Sequence, residues 1–206
     1  MRFRTSPAAF AAISFLLLPI PSPAQTAKVN SPAPDFTATD SHGQAQSLDK
    51  YRGKYVVLEW HNQGCPFTRK HYDSGNMQDL QKEWTGKGVV WFTVISSAPG
   101  TQGYVTPEQE NDYLAKMHAA PTAALLDPDG KVGRLYNART TPDMFIIDPQ
   151  GKLIYSGAID NRPTPDAGDI QGADNYVTDA LTAAMAGRPV ANPYTRAYGC
   201  SVKYRD

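Results

Sequence analysis

The sequence predicts an α/β domain, a central mixed β-sheet flanked by helices, with a hairpin extension at its N-terminus and an irregular C-terminal tail. Three observations carry that expectation. KYVVLEW (54–60) and GVVWFTVISSA (88–98) are continuous apolar, β-branched and aromatic runs, as strands buried on both faces are. Segments with helical pattern and capping residues stand between and after them. Gly, Pro and Asp clusters punctuate the chain at the spacing of alternating units.

The elements follow in order. Residues 1–24 carry Arg2 and Arg4 ahead of an apolar run from Ala8 to about Ile20, then Pro and small residues, which is the layout of a secretory leader. Cleavage is expected after Ala24, and the apolar run is too short for an ordinary membrane span. The leader implies export, with a periplasm as the expected destination and no stable membrane span once it is removed. Residues 25–187 are expected to form the domain and 188–206 the tail.

DFTATDSHGQAQSL reads as the N-terminal hairpin. PFTRKHYDSGNMQDLQKEW is helical, opened by Pro66 at the first helical position and interrupted at Ser74-Gly75-Asn76. TPEQENDYLAKMH predicts a helix over 107–118, with Thr106 as cap and Gln109 completing a capping box. TAALLD (122–127) is a strand, and a short helix through KVGRLYN follows the PDG turn. TTPDMFIIDPQGKLIYSGAIDN reads as an antiparallel strand pair around a DPQG turn, and NYVTDALTAAMAG as a helix stopped by Gly187.

Composition narrows the function. The whole chain has 20 Lys+Arg and 20 Asp+Glu; without the leader the net charge is −2, so nothing suggests a nucleic-acid partner. No phosphate loop or nucleophilic serine elbow is present. Paired carboxylates do not stand out, since Asp127, Asp129, Asp148 and Asp160 sit where turns favour them. His42 and His118 read as surface residues, and Trp60, Trp84 and Trp91 as core, with Trp60 near the cysteine pocket. No cofactor is implied.

Attention falls on HNQGCPFTRKHY, which holds one of only two cysteines. Cys65 stands between a strand and Pro66, hence at a helix N-terminus, where unpaired N–H groups and the helix dipole favour a thiolate. Arg69, Lys70 and His71 could add positive potential. The second cysteine, Cys200, stands in the Pro-interrupted tail. An exported protein can oxidise such a pair. As an inert staple, a bridge across 135 residues would stabilise the fold by roughly 5 kcal/mol on chain-entropy grounds. As a redox pair, Cys65 reacts first and Cys200, on a mobile tail, resolves the product.

APDFTATDSHGQAQSL, the Gly64-Cys65-Pro66 after the first long strand, and Thr141-Pro142 opening the later hairpin together resemble the thioredoxin superfamily. More narrowly they are similar to its alkyl-hydroperoxide-reductase and thiol-specific-antioxidant branch, the peroxiredoxin-like redoxins. The resemblance covers residues 30–187. It implies a thioredoxin-like fold, a reactive Cys65 and a cis-proline, Pro142, packed opposite it. It further implies a peroxide or disulfide substrate and an external dithiol reductant. Two departures stand out. Thr68 occupies the place of a second Cys-x-x-Cys cysteine, and Asn62 and Leu58 stand where peroxidases of this branch carry Thr or Ser and Pro. Asn62 can still donate to a peroxide or sulfenate oxygen, and Arg139 could polarise an O–O bond. The substrate-positioning set is therefore Asn62, Gly64, Arg139, Thr141 and Pro142. A competing reading takes H-x-x-x-C-P, similar to the C-x-x-x-C-P of copper-delivering thioredoxin-fold proteins, as a copper site of His61 and Cys65 with Met77 or His71.

Overall fold

The structure is a computed structural model that describes residue 1 and residues 26–205; the leader from residue 2 onward, with its expected cleavage site, lies outside the described residues. Nine strands and five α-helices are found among the described residues. β1 (Thr37–Asp40) and β2 (Ala45–Ser47) form the N-terminal hairpin. β3 (Val56–Trp60) leads into α1 (Pro66–Asp73) and α2 (Asn76–Gly86), then β4 (Val90–Ile95) and α3 (Pro107–Lys116). Next come β5 (Ala123–Leu126), α4 (Lys131–Tyr136), β6 (Thr140–Thr141), β7 (Asp143–Ile147) and β8 (Leu153–Gly157). α5 (Tyr176–Met185) and β9 (Cys200–Ser201) end the order.

Seven strands make one mixed sheet in the order β2-β1-β5-β4-β3-β7-β8. β3 pairs parallel to β4 and β4 to β5, while β7 runs antiparallel to both β3 and β8. The N-terminal hairpin is not a separate extension, because β1 pairs with β5 and lengthens the same sheet. β6 and β9 form a small second sheet.

Side-chain alternation divides the core between the two faces of the main sheet. Val56, Leu58 and Trp60 of β3 face one side with Phe92, Tyr136 and Phe145; Val57 faces the other with Met77, Trp84, Trp91 and Leu181. Every residue of β3 and β4 is buried, Glu59 and Thr93 among them, as central strands covered on both faces require. Trp60, Trp84 and Trp91 are all core. The helix break falls where expected: Gly75 takes φ +82°, a left-handed conformation that separates α1 from α2. The capping box between Thr106 and Gln109 is formed in both directions. Among the described residues no helix is long and apolar enough to cross a membrane.

Candidate active site

β3 stops at Trp60, and residues 61–64 carry the chain to Cys65, the N-cap of α1. Pro66 follows at the first helical position, where its missing N–H leaves no bond unmade. The Cys65 residue is fully buried, with Sγ donating to the Thr141 carbonyl at 3.0 Å. Burial alone would raise its pKa. Hydrogen bonding with the Cys200 thiol, with the Thr141 side chain and with the Thr68 and Cys200 backbones outweighs that penalty and holds the Cys65 thiol below its ordinary value. Cys200 moves the opposite way: burial, then its hydrogen bond to Cys65, push its thiol up to about 11. Both cysteines are free. Of the two, Cys65 is the cysteine whose surroundings favour a thiolate.

Cys200 reaches this position through backbone pairing. β9 lies antiparallel to β6 with Thr141 opposite Cys200 and Thr140 opposite Ser201. The next peptide bond, Thr141–Pro142, is cis, as the resemblance implied. The tail is docked rather than mobile. Val202 N–H donates to the Arg139 carbonyl (2.9 Å), Ala98 N–H to the Lys203 carbonyl (2.8 Å) and the Tyr204 hydroxyl to the Ala138 carbonyl (2.7 Å).

The remaining sequence candidates are distributed unevenly. Asn62 is buried and already engaged: its Nδ2 donates to Gln102 at 3.0 Å and its Oδ1 accepts the Gly64 N–H at 2.9 Å. A Cβ at Gly64 would meet the Gln102 amide nitrogen at 2.9 Å, the end of a flexible side chain that would have to shift. Both residues shape the loop ahead of Cys65, and Gln102 is a partner that no motif announced. Arg139 is exposed; its Nε reaches Asn137 at 3.4 Å, and its backbone, not its guanidinium, ties the site to the tail.

The expected positive potential after Cys65 is largely cancelled. Lys70 is buried against Asp160 (3.5 Å) and donates to the Arg162 carbonyl (2.7 Å), while Arg69 is exposed and pairs with Asp73. His71 is buried, and desolvation chiefly lowers its pKa to about 4, so it is uncharged at neutral pH. Asp160 is therefore more than a turn residue: it counters Lys70 and accepts the hydroxyl of Tyr198 from the tail.

Paired carboxylates, unseen in the sequence, do occur. Glu59 on β3 and Glu110 on α3 are both fully buried and flank His61, at 3.8 Å from Nδ1 and 4.0 Å from Nε2. Burial raises Glu59 to about 7, despite bonds from Trp91, Tyr72 and Gln81, and raises Glu110 to about 8. Burial lowers His61 to about 3. Its two nitrogens face these carboxyls from opposite edges of the ring. Met77 is packed in the core, and His71 bonds Asn76. Among the described residues no group of three His, Cys, Asp or Glu could hold a metal ion.

Residues 29–156 match the AhpC/TSA family. The chain is 25% identical over 134 residues to the probable glutathione peroxidase 8-B of Xenopus laevis, covering 58% of this chain and 62% of that one. It is 26% identical over 125 residues to the thiol-disulfide oxidoreductase ResA of Geobacillus kaustophilus, covering 61% and 66%. The chain thus spans a little under two-thirds of the length of these curated relatives. An uncharacterized conserved protein from Geobacillus kaustophilus superimposes with a TM-score of 0.73 at 25% identity, covering 86% of this chain and 93% of that one. The fold is thioredoxin-like.

Proposed function

Since the chain belongs to the AhpC/TSA family, we propose that it is a thiol-dependent oxidoreductase in which Cys65 attacks a peroxide or disulfide and Cys200 resolves the product. The observation that carries this reading is the register of β9 on β6, which sets the second cysteine, Cys200, opposite Thr141, the residue whose carbonyl accepts the Cys65 thiol at 3.0 Å.

With a peroxide, the Cys65 thiolate takes the outer oxygen, the O–O bond breaks, and the leaving alkoxide or hydroxide collects a proton. The resulting sulfenic acid condenses with the Cys200 thiol, forming the S–S bond and releasing water. With a disulfide, Cys65 forms a mixed disulfide and expels one thiolate; Cys200 then expels the second. Either route ends at a Cys65–Cys200 disulfide, which an external dithiol reduces with two electrons and two protons. The leader at residues 1–24 supports export, and a periplasm is the compartment in which we place this cycle.

A purely structural bridge is the less favoured reading, because backbone pairing and the Tyr204 and Val202 contacts already fasten the tail. Turnover assays with hydrogen peroxide and with a model disulfide, using dithiothreitol as reductant, test the proposal. Cys65→Ser should abolish both activities above the uncatalysed dithiothreitol background, and Cys200→Ser, given oxidant before any dithiothreitol is added, should stop at a sulfenic acid or mixed disulfide on Cys65. Full multiple turnover by Cys65→Ser would refute the assignment.

A further inference from the structure

Resting on that reading, we infer that the C-terminal tail acts as a built-in pseudosubstrate. Its β9 occupies the backbone of β6 beside Cys65, so that the reduced protein accepts small oxidants and excludes cysteines presented on an extended polypeptide. An extended chain bearing a disulfide would gain backbone hydrogen bonds by pairing with an open strand next to the nucleophile. Here that strand is taken: Thr141 pairs with Cys200 itself, and the Cys65 sulfur is covered.

The docking requires close backbone approach at two glycines. Gly157, at the end of β8, has φ +146°, and a Cβ there would collide with the carbonyl oxygen of Thr195. Gly199 has φ +138°, and a Cβ there would collide with the carbonyl oxygen of Thr141. Between them Thr195 Oγ1 accepts the Ala158 N–H at 2.9 Å, and the Tyr198 hydroxyl donates to Asp160. Tyr204 is seated farther along, over Gly130 and Gly133. A small oxidant makes no backbone pairing and so does not need β6 to be free. A polypeptide must displace the whole strand and every bond that holds it.

The test compares two mixed disulfides with the same leaving group, thionitrobenzoate joined to N-acetylcysteine or to the cysteine of a short peptide. Cys65 attacks either one, thionitrobenzoate leaves and is followed by its absorbance, and Cys200 releases the other thiol. Wild type should react readily with the N-acetylcysteine compound and slowly with the peptide. Gly157→Ala, which keeps both cysteines, should raise the peptide rate about tenfold relative to the small compound, the change expected when docking loses a hydrogen bond or two. Tyr204→Ala should do the same by releasing the tail from its other end, and circular dichroism shows whether each variant is folded. A peptide-to-small rate ratio that is equal in wild type and both variants overturns the pseudosubstrate role while leaving thiol chemistry intact. No reaction with the small compound in any variant overturns the redox reading and this inference together.

Discussion

Cys65 is chemically poised by a contest between burial, which disfavours a thiolate, and the hydrogen bonds it receives, the strongest from Cys200. Cys200→Ala removes that donor, so the Cys65 pKa should rise in the variant. Alkylation of Cys65 measured against pH, with the modified peptide identified by mass spectrometry, should show the shift; an unchanged profile would contradict the role given to Cys200. Glu110 offers a second residue-scale prediction. Its folded-state pKa, about 8, lies above the usual 4.5. The folded state therefore binds the extra proton between those values, and the contribution is present at low pH and lost as pH rises toward 8. Glu110→Gln should flatten this decline and stabilise the protein at pH 8 by on the order of 2 kcal/mol, read from denaturant unfolding at a series of pH values. At this scale the sequence was only partly legible. Cys65 was visible from the strand and proline around it, and an acid at Glu59 inside an apolar run was itself a signal. Gln102 and Glu110 were not visible, because their roles come from a loop and a helix that only the fold brings to Asn62 and His61.

Among the elements, local chemistry dominates and the reading is correspondingly direct. Gly75 separates α1 from α2 in a left-handed conformation with no atom near its missing Cβ. Gly75→Ala should therefore cost only backbone strain, about 1–2 kcal/mol, measured by denaturant unfolding. Thr106→Ala removes one side of the α3 capping box and should cost about 1 kcal/mol. Both devices were evident in the sequence because Gly, Thr and Gln act within a few residues of one another. The pairing of β1 with β5 was not, since it joins segments more than eighty residues apart. Nor was β9, a two-residue strand whose whole pattern is set by its partner β6.

For the molecule as a whole, the tail is the feature that local patterns could not disclose. Its prolines suggested mobility, yet Tyr198, Val202 and Tyr204 find seats at Asp160, in the core and over Gly130 and Gly133. A chain ending at Gly187 should lose about 3–5 kcal/mol from the exposure of the Val202 and Tyr204 seats alone. The same truncation should open Cys65 to alkylation by bulky maleimides, detected by mass shift. The central claim, that Cys65 and Cys200 are reactive and resolving members of one redox pair, is tested most directly by mass spectrometry after a single equivalent of hydrogen peroxide is added to the reduced protein. The account predicts that wild type loses two hydrogens and yields a peptide linked through Cys65 and Cys200, whereas Cys200→Ser gains one oxygen on Cys65. Reduced wild type that remains unmodified at Cys65, or Cys200→Ser that acquires no oxygen there, would contradict it.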